Sequence, residues 1–342
     1  MPGPPADYGV EVSHRRLRTR RWSPPRPAPN AADVRPLGLR RLELSGVGPE
    51  DVVLDADGRA LVGVSDGRIL RIDPVDGVVE TIARTGGRPL GLEWCASGRL
   101  LVCDSERGLL QVDLEAGGTV TTLVADVDGV PLNFASNVVE ASDGTIYFSA
   151  SSRDFDLDHY LGALLEHRGT GRLFRRDRDG QVQTLLDGLQ FANGVALAPD
   201  GSCVVVAETG AYRLRRYWLA GPRAGAHDVL VDNLPGFPDN ISLGSDGLVW
   251  VTLAAPRDRL LDALLPRPGV LRQLVWLLPE RLRPAPKRTV RVVAVSFDGR
   301  VVHDLEGPGD EYSMVTGVAE RDGVLYLGSL HETALAVARR PH

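Results

Sequence analysis

From residue 46 the chain repeats one pattern: a short apolar run, a tight turn ending in glycine, and a second apolar run. Residues 52–54 precede Asp57-Gly58 and then 60–64, and residues 90–94 precede Ser97-Gly98 and then 100–103. The pattern returns around Asp143-Gly144, Asp200-Gly201, Asp246-Gly247 and Asp322-Gly323, which makes six copies. Most copies are followed by two more strand-like runs, such as 69–73 and 78–83. Asp-Gly suits a hairpin because both residues tolerate positive φ. A sheet of four short strands cannot bury both of its faces alone, so repeated sheets must pack around an axis. The expected fold is all-β: a six-bladed β-propeller, whose blades match this repeat length. A β-sandwich would not explain so regular a hairpin repeat.

Three stretches break the pattern. Residues 1–45 read as an N-terminal arm, with a basic and then proline-rich segment at 14–29. Within it, the region around Arg40–Leu44 is a candidate strand to close the ring against the last blade. The propeller itself is expected over 46–342. Two insertions, 151–172 and 255–290, fall between the second and third strands of copies three and five. Both carry short amphipathic helical patterns, which places two helical insertions over the channel mouth as a lid. The second holds eight Arg/Lys against three acids. Its apolar patches are interrupted by Pro266, Pro268 and Pro279, so it cannot span a bilayer as a helix. Its basic excess makes peripheral membrane contact through 255–290 an alternative role.

Composition narrows the classes. The net charge is −6, the wrong sign for a general nucleic-acid binder, so no nucleic-acid partner is expected. No run of 18 apolar residues and no basic-then-apolar leader occurs, so a cytoplasmic protein is expected. Cys95, Cys103 and Cys203 are an odd, sparse set. Cys95 and Cys103 flank one hairpin out of register, so buried free thiols are expected.

Candidate chemistry comes from position within the repeat. Eight residues before each turn glycine stand Glu50, Leu90, Ser136, Asn193 and Asp239, with Asn137 directly after Ser136. In this topology those positions ring one mouth of the central channel. Acid and amide oxygens converging on one axis are what a hard cation such as Ca²⁺ prefers. Taken singly, each is better explained as a turn residue bonding its own backbone; it is the recurrence in several blades that favours metal binding. Second strands end at the same rim near Asp66, Asp104, Glu208 and His331. A histidine that titrates near neutrality makes His331 a candidate general base, against a plain exposed loop histidine. His159 and His167 in the first insertion are weaker candidates. Glu208 is either a partner of Asn193 or a strand-end acid, while Tyr217 and Trp218 read as packing aromatics.

Several segments resemble the strictosidine synthase-like and gluconolactonase superfamily: Gly48-Pro49-Glu50-Asp51, Phe191-Ala192-Asn193-Gly194-Val195, Val206-Ala207-Glu208-Thr209 and Leu234-Pro235-Gly236-Phe237-Pro238-Asp239-Asn240. Arg215-Arg216-Tyr217-Trp218 and Leu325-Tyr326-Leu327-Gly328-Ser329 fit the same pattern. The resemblance covers about residues 45–335 and implies a six-bladed propeller. It also implies a catalytic Ca²⁺, or another divalent cation, held by Glu50, Asn193 and Asp239. Where relatives carry a third-blade asparagine this chain has Ser136, with Asn137 as the substitute ligand. Where relatives carry an aspartate at the end of the next strand it has Ala150. The glutamate base of the family's condensing enzymes is replaced by Thr316. The implied function is a metal-dependent hydrolase of a lactone or ester, acting on a small-molecule substrate. Asp239 would be nucleophile or base and Asn193 a substrate contact. Two alternatives are a natural-product condensation or cyclisation enzyme and a non-catalytic binding scaffold.

Overall fold

The computed structural model describes residues 15–27, 32–283 and 285–341. Among the described residues the strands form six antiparallel blades around one axis. Blades one to four are consecutive four-stranded meanders over 52–84, 89–124, 135–189 and 192–231. Blade five runs from Gly236 to Gly307, and Val34–Pro36 adds to its outer edge in parallel with Val301–Gly307. Blade six is Val315–Arg321, Val324–Ser329 and Ala334–Arg339, with Arg40–Glu43 as its outermost strand. The ring is therefore closed by a strand from the N-terminal arm, which covers the outer edge of Ala334–Arg339.

The innermost strands touch one another around the whole circle, the last against the first. Packing is between blades. Six apolar clusters fill the six interfaces; one, for example, joins Val52 and Val62 of blade one to Leu335 and Val337 of blade six. This burial is the repeat's main source of stability, since a single blade exposes both faces.

The hairpins differ from the expected two-residue turn in five of six copies. There the glycine alone has positive φ, from 68° at Gly201 to 84° at Gly58. Its N–H closes a turn on the residue three before it, as Gly58 does on the Asp55 carbonyl at 3.1 Å. Only the sixth copy places both residues at positive φ, Asp322 at 53° and Gly323 at 77°, the pattern of a two-residue type I′ hairpin.

The insertions lie where expected. The first carries helix α1 (Tyr160–Glu166) and the second carries α2 (Arg259–Leu264) and α3 (Gly269–Trp276). Residues 15–27 form an extended strap between them. Leu17 N–H donates to Gln273 Oε1 at 2.7 Å, Arg20 N–H to the Glu166 carbonyl at 2.8 Å, and Arg272 to the Arg20 carbonyl at 3.0 Å. Trp22 stacks on His167, and Trp276 is fully buried against Phe155. The described part of the basic segment is thus a clasp on the lid, while His14, Ala28 and Pro29 lie outside the described residues. All three cysteines are buried and free. No helix among the described residues is long and apolar enough to cross a membrane.

Candidate functional site

Five innermost strands carry two consecutive residues near the axis, and in blade one the pair Glu50-Asp51 directly precedes the strand Val52–Leu54. Simple strand alternation would send one of them away. The register between first and second strands shifts at these places: between Pro89 and Leu92, Ala135 and Val138, Ala192 and Val195, Pro238 and Ile241, and Val315 and Val318. A bulge adds one residue and re-aims its neighbours. The result is two stacked layers. The upper layer is Glu50, Leu90, Ser136, Asn193, Asp239 and Thr316, and all six line one cavity beneath the lid. The lower layer is Asp51, Gly91, Asn137, Gly194, Asn240 and Gly317.

In the upper layer Asn193 Nδ2 donates to Asp239 Oδ1 at 2.6 Å and to Thr209 Oγ1 at 3.3 Å. Thr209 in turn donates to the Pro238 carbonyl at 2.6 Å, which fixes the strand that bears Asp239. Glu50 Oε1 accepts from Asn240 Nδ2 at 3.0 Å, while Oε2 is buried with no hydrogen-bond partner. Ser136 is turned to Ser151 Oγ at 2.5 Å, and Thr316 donates to the Glu50 carbonyl at 2.6 Å.

The lower layer alternates a polar residue with a glycine. Asn137 Nδ2 donates to Asp51 Oδ2 at 3.1 Å and to Asn240 Oδ1 at 3.2 Å, and its Oδ1 accepts Val195 N–H at 3.0 Å. The glycines make room. A Cβ on Gly91 would lie 2.4 Å from Asn137 Cα, one on Gly194 would lie 2.2 Å from Ile241 N, and one on Gly317 would lie 2.6 Å from Asp51 Cα. Asp51, Asn137 and Asn240 therefore knit three blades together across the axis.

The structure brings Glu50, Asn193 and Asp239 together. It places Asn137 one layer below, with its amide committed to Asp51, Asn240 and Val195, so it does not join them. His331 is exposed and is not among the residues lining the cavity; its N–H donates to Ser329 Oγ at 3.2 Å. His167 is buried beneath the lid, where desolvation and then Arg272 push its pKa down to about 4. His159 bonds Asp156 at 2.7 Å. Glu208 binds Gln190 N–H at 2.9 Å and the guanidinium groups of Arg213 and Arg215, so it acts as a strand-end brace. Trp218 packs beneath Arg216 and Arg223. At the Ala150 position, flanking hydroxyls supply the cross-blade bonds instead: Ser149 to the Asn193 carbonyl at 2.6 Å and Ser151 to the Ala192 carbonyl at 2.7 Å.

Burial raises the pKa of all three carboxyl groups near the axis. Glu50 is held well above the usual range, first by desolvation and then by Asp239 and Asp51. Asp239 is pushed up to about 8 by desolvation, reinforced by the charge of Asp51, and Asp51 to about 7 by desolvation. Arg88 is a cation near Glu50 and itself buried; its Nη2 donates to the Gly48 carbonyl at 3.0 Å. Sequence reasoning missed Arg88, Asp51 and Asn240. The signal for the last two was available, since each directly follows an upper-layer residue.

Among the described residues no three His, Cys, Asp or Glu side chains converge as a metal-binding group. The donor set is two carboxylates and an amide, all hard oxygen donors, with one carboxylate oxygen buried and unpartnered. That chemistry fits a divalent cation such as Ca²⁺, with Ser136 contributing less than an amide would because its hydroxyl is turned to Ser151.

The cavity above is apolar. Phe134, Phe191 and Phe237 form its walls, and Leu161, Leu164, Leu261 and Val275 of the lid form its roof.

Comparison with known proteins agrees with this architecture. The model of the strictosidine synthase family matches residues 137–222, and that of the strictosidine synthase-like N-terminal region matches 37–72. The adipocyte plasma membrane-associated protein of Rattus norvegicus is 35% identical over 306 residues, 82% of this chain and 80% of that one. The strictosidine synthase-like protein 10 of Arabidopsis thaliana is 36% identical over 314 residues, 83% of each chain. Among solved structures, a gluconolactonase from Xanthomonas campestris superposes with a TM-score of 0.65 at 18% identity, covering 89% of this chain and 90% of that one. A calcium-binding regucalcin from Agrobacterium tumefaciens gives 0.63 at 16%, covering 91% and 97%. At these identities the solved structures bear on the fold alone.

Proposed function

The chain belongs to the strictosidine synthase-like family, and from that premise we propose that it is a divalent-cation-dependent hydrolase of a lactone or ester. The observation that carries this reading is the convergence of Glu50, Asn193 and Asp239 on the floor of an apolar, lidded cavity. Glu50, Asn193 and Asp239 would hold the cation. When bound, it would polarise a carbonyl and stabilise the oxyanion that develops on attack.

The chain's own residues do the rest. Asn193 holds one oxygen of Asp239 and thereby aims the other. Asp239 attacks the acyl carbon and expels the alcohol oxygen, leaving an acyl anhydride that water then hydrolyses, or it takes the proton from an attacking water and passes it to the alcohol oxygen as the acyl C–O bond breaks. Desolvation keeps that carboxyl protonated near neutrality, and a cation held beside it would favour the ionised form that the chemistry needs. Phe134, Phe191, Phe237 and the lid leucines exclude bulk water and seat an apolar acyl or alcohol portion. The condensation reading lacks its base, because Thr316 stands in that place with its hydroxyl donated to a backbone carbonyl.

The test is calorimetric titration of the chelator-treated protein with Ca²⁺, followed by a panel of lactones and aryl esters. Saturable binding together with turnover that chelator abolishes is expected. Absence of both would overturn the proposal.

A further inference from the structure

The outer face of the second insertion carries an apolar stripe that nothing in the described chain covers. Val270 and Leu274 lie one turn apart on α3, and Leu277 and Leu278 continue the same side past its end. This i, i+4, i+7, i+8 spacing is one face of a helix. Leu282 follows in a 3-10 turn. These five side chains are 62, 58, 51, 37 and 61% exposed, in that order. No other described element collects so many exposed large apolar side chains. The opposite face of α3 is fully used: Arg272 and Trp276 are buried, and Val275 lines the cavity.

A positive rim surrounds the stripe although the chain as a whole is acidic. The strap runs beside α3, tied by Leu17 to Gln273, and a Cβ on Gly269 would meet Thr19 Oγ1 at 1.8 Å. Along the strap, buried Leu17 and half-buried Thr19 alternate with exposed Arg16, Arg18 and Arg20, so the arginines face solvent. Arg267 and Arg281, also exposed, stand at the two ends of the stripe. Three described acids of the lid region are occupied. Asp154 pairs with Arg15 and Arg168, Glu166 accepts the Arg18 N–H at 2.6 Å, and Asp262 pairs with Arg257.

We propose that this face, α3 with the flanking strap, docks on a bilayer surface rich in anionic headgroups. The leucines enter the headgroup boundary and the arginines meet phosphates and carboxylates. A convex apolar ridge bordered by arginine matches an anionic lipid surface in both hydrophobicity and charge. Docking sets the roof of the cavity against lipid, so an apolar substrate dissolved in the bilayer has a short route to the site.

The full chain is floated with phosphatidylcholine vesicles, with and without about one-third phosphatidylserine. Binding to the phosphatidylserine vesicles, at least about tenfold stronger than to phosphatidylcholine alone and weakened by salt, is expected. Leu274→Asp with Leu277→Asp should cut binding at least about tenfold while leaving circular dichroism unchanged, because both side chains are exposed. Arg16→Glu with Arg18→Glu is an independent variant that should abolish the phosphatidylserine preference. No binding by the wild type, or undiminished binding by both variants, overturns the proposal. So does a dimer in gel filtration that the leucine variant dissolves while vesicle binding is absent, which would make the stripe a contact between two copies of this chain. An acidic protein captured in place of vesicles would overturn it too.

Discussion

Replacing Asp239 with asparagine should stabilise the cation-free protein while crippling the site. An aspartate with its ordinary pKa of 3.8 releases its proton in the unfolded chain, whereas folded Asp239 keeps it up to about 8. Between those values the folded state binds more protons than the unfolded state, so stability falls as pH rises through that window and is fully recovered only below the lower value. At pH 7 the interval above 3.8 is about 3 units, which at 1.36 kcal/mol each gives an upper bound of about 4 kcal/mol. Asp51 and Glu50 share the same field, so removing one of three acids should recover part of this, about 1–3 kcal/mol. The new amide can still accept from Asn193 Nδ2 through its own Oδ1, so the 2.6 Å contact need not be lost. For a chain of this size that gain corresponds to a rise in Tm of about 1–4 °C. The assay is thermal unfolding of chelator-treated wild type and Asp239→Asn at pH 5, 7 and 8.5. The wild type should lose stability across the series and the variant distinctly less, so the two curves converge toward low pH. Equal slopes, or a variant less stable at pH 8.5, would refute the electrostatic reasoning. In the same variant Ca²⁺ affinity should drop at least about tenfold, because only one carboxylate remains in the donor set.

Three further outcomes are expected. Ca²⁺ binding at pH 7 should release protons, since a cation reverses the raised pKa of Asp239 and Glu50; binding enthalpies measured in two buffers of different ionisation enthalpy will differ in proportion. Gly194→Ala should destabilise the fold by more than about 3 kcal/mol, because its Cβ would press on the backbone at Ile241 from 2.2 Å; an unfolding midpoint within a degree of wild type would contradict the packing described at the axis. His331→Gln should change turnover less than about twofold, because that side chain is exposed and does not line the cavity; loss of a neutral-pH limb from the rate profile would restore it as a base.

The blades were legible in the sequence because the hairpin glycines recur at a fixed place and the apolar runs keep their spacing. The ring-closing strand was legible as well, although Arg40–Glu43 is separated by almost the whole chain from its partner Ala334–Arg339. The counting rule that led to Glu50, Asn193 and Asp239 works because repeated blades repeat their geometry. It places Ser136 correctly as well; what fails is the substitution of Asn137, which stands one residue further on and one layer lower. Alternation along an ideal strand gives no warning that a bulge will aim two neighbours toward the axis, so a shift from Ser136 to its neighbour looked harmless. The strap was illegible for a different reason. A basic run such as Arg16, Arg18 and Arg20 is usually solvated, and the residues that hold the strap, Glu166, Arg272 and Gln273, lie more than a hundred residues away. Only tertiary structure reveals that the alternate residues Leu17 and Thr19 are pinned to the lid.

A propeller is easily imagined as a tube open at both ends, but the Asp51, Asn137 and Asn240 ring stoppers this one. Its bonds span three blades, and the glycines between them bring backbone against backbone. A second hollow opens on the far side, bordered by Asp51, Asn137, Glu93 and Glu140, yet it shares no upper-layer residue with the lidded cavity. The lidded cavity is therefore a well, with Glu50, Asn193 and Asp239 at its floor and the insertions at its mouth. A small molecule that entered past α1, α2 and α3 would meet that floor and return toward the lid. Under the proposed hydrolysis, traffic past the lid, and with it the tightness of the Leu17, Arg20 and Trp22 clasp, would set the ceiling on turnover for any substrate whose chemistry is fast.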